Sequence, residues 1–77
     1  MIKLVLDTDV IVAAMRSPTG ASAALLGEAL KKRFILLASV PLFIEYEAKC
    51  TEPEHLTAAG LTQLQSQMFL DGIAAIV

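Results

Sequence analysis

The feature that most constrains this chain is a short apolar run, Ile2–Leu6, that ends on a carboxylate, Asp7. Only Lys3 interrupts the run, and it sits near the edge. Such a stretch reads as a buried strand. Asp7-Thr8-Asp9 follows as an aspartate-rich turn, then the apolar Val10–Ala14, then the loop punctuation Ser17-Pro18-Thr19-Gly20. Ala21–Arg33 is dominated by Ala, Leu, Glu and Lys, with Leu26, Ala29, Leu30 and Arg33 at helical spacing, which predicts a helix. Phe34–Ala38 is a second short apolar strand. Strand, helix, strand is a βαβ unit, and its right-handed crossover makes the strands parallel. The expected fold class is therefore α/β, a βαβ unit of a parallel sheet with flanking helices.

Ser39 suits an N-cap, and Pro41 falls in the first turn of the next helix, where a missing N–H costs little. That helix should run from Val40 to Cys50. Thr51–Glu54 should break it, with Pro53 as the stop. A last helix is expected over Leu61–Ile76, with Leu61, Leu64 and Met68 as one apolar row and Phe69, Ile73 and Ile76 as a second. Gly72 weakens it by roughly 1 kcal/mol relative to Ala. Two parallel strands leave unpaired edges, and parallel sheets are normally larger. The pattern predicts further strands after Val77, so that residues 1–77 form the N-terminal portion of a single domain.

Composition sharpens that expectation. A chain of 77 residues with 56% hydrophobic residues cannot easily hide its apolar surface. Self-association or cover from further chain would resolve this, and a homo-oligomer is expected. No run reaches the roughly 18–20 apolar residues of a membrane span. The greasiest stretch, Phe34–Ile44, is broken by Ser39 and Pro41. Asp7 and Asp9 interrupt any signal-peptide core. The lone Cys50 excludes an internal disulfide framework and reads as a small buried residue. A cytoplasmic protein without a membrane partner is expected. The net charge of −2 gives little broad affinity for nucleic acid. The basic cluster Lys31–Arg33 reads as a solvated helix C-terminus, and His55 as a surface residue without partners.

In open α/β sheets, ligands bind beyond the C-terminal ends of the strands. Asp7 lies at that end of the first strand and Ser39 at that end of the second. A carboxylate there is partly desolvated and needs a partner. A hard divalent cation is one, and Mg²⁺ takes only one or two protein carboxylates. Glu45 is the second candidate, about 9 Å along the helix from Ser39. It is either a ligand turned inward or part of a polar stripe. Glu47 lies about 200° round the helix from it, so an inward Glu45 sends Glu47 to solvent. Asp9 has three readings: a ligand, an acceptor that holds a ligand, or an N-cap. The Thr8 hydroxyl is placed to donate to an aspartate or a phosphate.

Together these residues resemble the PIN domain family, specifically its branch of toxin components of bacterial toxin–antitoxin systems. The resemblance rests on Lys3–Ala14, where the family has an apolar strand, Asp-Thr-Asn or a variant, and an apolar helix start. It continues through the Ser17–Gly20 loop and the leucine helix to Leu26, and through Phe34–Glu47, where the family has a strand, Ser, and a helix with a Glu-Tyr pair. It implies a metal-dependent ribonuclease using Mg²⁺ or Mn²⁺, with Asp7 and Glu45 as catalytic metal-binding acids and RNA as substrate. It also implies an antitoxin protein as partner. Asp9 stands where Asn or Ser is common. The family's further acids lie in a second half, so this chain is expected to supply only part of the metal cluster and to be inactive alone. Two other readings compete. The aspartates at i and i+2 after a strand also suit a haloacid-dehalogenase-like phosphatase, with Asp7 as nucleophile and Asp9 as general acid. Val10 departs from the Gly usual there. Finally, the apolar surplus suits a non-catalytic module that self-associates or binds an antitoxin.

Overall fold

The computed structural model describes residues 1–77. Strands β1 (Lys3–Val5) and β2 (Ile35–Leu37) pair in parallel, Lys3 beside Ile35, Leu4 beside Leu36 and Val5 beside Leu37. The crossover holds two helices, α1 (Thr8–Arg16) and α2 (Ala21–Leu30), bent by 103° across Ser17–Gly20. Then come α3 (Val40–Cys50), α4 (Pro53–Ala59) and α5 (Gln63–Ala74). Helix α1 is the hub and packs on α2, α3 and α4, while α5 lies against α3. The parallel pair and the mixed α/β character agree with the sequence reading.

Four local expectations change. Asp7-Thr8-Asp9 is not a free turn. The Asp7 carbonyl accepts from Val10 N–H at 3.0 Å and Ile11 N–H at 3.3 Å, so the helix starts at Thr8. Helix α2 stops at Leu30, short of the basic cluster. Lys32 N–H bonds to the Ala29 carbonyl and Arg33 N–H to the Glu28 carbonyl. These two bonds close a Schellman turn with Lys32 at φ 60°, a conformation usually given to glycine. The cluster is thus a turn after the helix, and Arg33 pairs with Glu28 at 3.2 Å.

Pro53 starts a helix where a break was expected. It occupies the first turn of α4, where its missing N–H has no partner to lose. Gly60, at φ 68°, ends that helix in the left-handed conformation. Helix α5 begins later than expected, after a capping box in which Thr62 and Gln65 bond to each other's backbone N–H. Its inner row is Ser66, Leu70 and Ile73, whereas Leu64 (71% exposed) and Met68 (64%) face solvent. Of the two expected apolar rows the second holds, with Ile73 buried and Phe69 and Ile76 packed on the core, whereas Leu64 and Met68 of the first give way to Ser66, whose hydroxyl is bonded internally.

The core joins Leu6, Ile11, Met15, Leu36, Tyr46, Cys50, Leu70 and Ile73 with smaller neighbours. Cys50 is fully buried as expected, and burial pushes its thiol up to about 11. The sheet departs from expectation. Leu36 is buried, but Lys3, Leu4, Val5, Ile35 and Leu37 are exposed. Side chains alternate along a strand, so Lys3, Val5, Ile35 and Leu37 share the open face opposite Leu36, while Leu4, beside Leu36, is left partly open at 38%. No single helix is long and apolar enough to cross a membrane.

Candidate active site

Asp7 stands where β1 hands over to α1, at the N-cap position with extended backbone (φ −63°, ψ 153°). Its side chain makes no capping bond and no ion pair. The carboxylate is exposed and free to bind. Its backbone is fixed from the other side by Tyr46, fully buried in α3, whose hydroxyl donates to the Leu6 carbonyl. A buried phenol needs such a partner. Burial raises the Tyr46 pKa, and the charges of Asp7 and then Glu45 raise it further. The role of Tyr46 is not read from the sequence; a hydroxyl inside an apolar helical stretch was the signal.

Glu45 is exposed and Glu47 half-buried, so Glu45 is not the inward-turned acid of the sequence reading. It lies at the rim. The buried Tyr46 takes the inward direction between them. Asp9 is the second residue of α1 and exposed, which removes its N-cap reading because Asp7 holds that position. Thr8 is buried, and its hydroxyl has no hydrogen-bond partner. No three His, Cys, Asp or Glu side chains converge as a metal-binding group.

A pocket of about 470 Å³ along α1 is lined by Asp9, Val12, Ala13, Arg16, Ser17, Lys49 and His55, with neither Asp7 nor Glu45 in its wall. His55 is not the partnerless surface residue expected. It belongs to α4 and its side chain is only 18% exposed. Arg16 Nη1 lies 3.3 Å from His55 Nδ1, and His55 Nε2 lies 3.5 Å from Glu52. A guanidinium only donates, so Nδ1 accepts and the ring proton sits on Nε2, toward Glu52. Lys49 also pairs with Glu52, at 3.3 Å. Folding Thr51–Glu54 into a turn and α4 created these contacts, which a sequence read as a loop does not reveal.

The family model described as PIN domain matches residues 3–77. The chain belongs to the PIN domain family. No curated protein and no solved structure gives a match. The two-stranded parallel sheet with five helices is consistent with a nuclease-like PIN fold. PIN domains generally use divalent metal ions. In this PIN domain the donors suited to a hard cation are the carboxylates of Asp7 and Glu45, with the unpartnered Thr8 hydroxyl adjoining Asp7. One or two carboxylates are enough for Mg²⁺ when water and phosphate oxygens complete its shell. With no group of three such side chains brought together, these residues could supply only part of the shell of such an ion.

Proposed function

We propose that this PIN domain is a metal-dependent ribonuclease that cleaves RNA phosphodiester bonds, of the kind found as toxins in toxin–antitoxin systems. The observation that carries the reading is the exposed, unpaired Asp7 carboxylate at the end of β1 in a chain of the PIN domain family. Asp7 and Glu45 would hold Mg²⁺ or Mn²⁺, with Asp9 at the edge of the site. A bound ion supplies polarisation of the phosphoryl oxygen and a hydroxide nucleophile. The chain's own residues do the placing. Tyr46 fixes the backbone that carries Asp7, and Thr8, which follows it, is buried with its hydroxyl unpartnered. PIN membership lends no support to a haloacid-dehalogenase-like phosphatase, in which Glu45 would also lack a task.

The test uses chelator-treated protein in which residues 1–77 are joined to the further PIN-domain acids that the resemblance implies, with single-stranded RNA and added Mg²⁺ or Mn²⁺. Cleavage should return with the metal and fall by about a hundredfold or more in Asp7→Asn, since such ions contribute several kcal/mol to the transition state. Cleavage in excess EDTA, or cleavage untouched by Asp7→Asn, overturns the reading.

A second reading rests on a different observation. Ile2, Val5, Val40 and Ile44 are all more than half exposed, and apolar surface of that kind marks interaction sites. A self-associating or antitoxin-binding module would cover it. Light scattering on a size-exclusion column decides whether the chain self-associates: a stable monomer counts against that part of the reading.

A further inference from the structure

The pocket along α1 has an uneven charge layout. Asp9 and Arg16 both line it, and both lie on α1, seven residues apart. Seven residues are two turns, so the two groups share a face of the helix and lie roughly 10 Å apart along it. The acidic end is Asp9, two residues after Asp7 in the chain. The basic end holds Arg16 and Lys49.

Arg16 differs from the chain's other arginine. Arg33 is neutralised by Glu28, whereas Arg16 has no carboxylate partner. The carboxylate within the cluster, Glu52, is already shared by Lys49 and His55. Arg16 is instead steered by a neutral acceptor, His55 Nδ1, which occupies one donor and leaves its charge unmatched. A guanidinium in that state, held at a pocket wall, suits a phosphate because its remaining donors form a planar fork.

We infer that Arg16, supported by Lys49 and oriented by His55, forms a subsite for a phosphodiester of the bound strand, displaced along α1 from the phosphate at Asp7. The inference rests on the nuclease reading for its substrate class. Arg16 is the anion-binding group, and His55 is a positioning residue that acts through it. The subsite sets which stretch of single strand lies against the acids, and it supplies a local cationic grip to a chain whose net charge is −2.

The experiment measures fluorescence anisotropy of a labelled single-stranded RNA oligonucleotide on the intact protein, in EDTA, over a range of KCl concentrations. Arg16→Gln should weaken binding about tenfold, as expected for a lost charge-assisted hydrogen bond. It should also flatten the dependence of log K on log salt by about 0.7, the value for one phosphate contact on a single strand. Ala13→Glu, which places a negative charge in the pocket without removing a cation, should weaken binding in the same direction. His55→Ala should weaken it less and leave the salt slope near wild type, because the cation remains. Both Arg16→Gln and Ala13→Glu binding with wild-type affinity and slope, with thermal melts unchanged, overturns the subsite. Asp7→Asn separates the two readings. Retained RNA binding with lost cleavage supports both. Undiminished cleavage in Asp7→Asn with weakened binding in Arg16→Gln sinks the metal-site reading and leaves the subsite standing.

Discussion

Helix α3 is pinned twice by the same device, a buried hydroxyl that donates to a main-chain carbonyl. Midway along the helix, its own Tyr46 reaches the Leu6 carbonyl of the sheet. At its end, the Cys50 carbonyl accepts from Ser66 of α5 at 2.7 Å. The surroundings differ. The Ser66 pin is sealed among Met15, Cys50, Leu70 and Ile73, all within the core. The Tyr46 pin lies beneath two exposed acids, Asp7 and Glu45. One bond therefore serves folding alone, while the other also sets the position of a candidate ligand. The same local chemistry takes on function only where exposed charge sits above it.

The largest effects expected from this contrast come from removing each hydroxyl. Tyr46→Phe keeps the ring and strands the Leu6 carbonyl, and Ser66→Ala strands the Cys50 carbonyl. Each should cost about 1–3 kcal/mol, read from urea midpoints. Cleavage per folded molecule should drop in Tyr46→Phe and hold in Ser66→Ala. An equal drop in both would erase the distinction between the pins.

Alkaline titration separates the pins next. An unfolded chain gives up its thiol proton near 9.0, whereas folded Cys50 keeps its proton to about 11. Between those values the folded state binds more protons, so stability falls as pH rises through the window. Cys50→Ala should remove that fall in thermal melts recorded from pH 9 to 11. The raised Tyr46 pKa acts in the same direction, and Tyr46→Phe should remove its share. A melting temperature flat across the window in the parent protein would contradict the burial of both groups.

The smallest expected change lies far from both pins. Lys32→Gly relieves a left-handed residue at φ 60° and should raise stability by about 1 kcal/mol, offset in part by greater freedom of the unfolded chain. Cleavage and RNA binding should not move. A shift in either would mean that stability alone alters the site, and the contrast between the pins would then need that correction.

Much of this was legible in the sequence because it is written in local rules. Asp7 closing an apolar run, Ser39 capping α3 with Leu42 N–H at 3.2 Å, and Cys50 inside the core all follow from short-range pattern. What stayed hidden depends on partners distant in the chain. Ser66 is a polar residue that becomes core because a carbonyl sixteen positions away accepts its proton. Tyr46 meets Leu6 across forty positions, and Arg16 meets His55 across thirty-nine. Pro53 carried two meanings, helix end and helix start, and only the following residues decide between them. Lys32 hid its turn because lysine announces no left-handed backbone.

The open outer face of the sheet has a consequence for how the chain behaves in bulk. Two short parallel strands carry rows of unsatisfied amide and carbonyl groups, bordered by Val5, Ile35 and Leu37. Such borders template pairing with any extended peptide that passes, and crowding makes those passages frequent. Concentration thus becomes a structural variable for this molecule. The denser the solution, the more intermolecular strand addition competes with each excursion from the folded state.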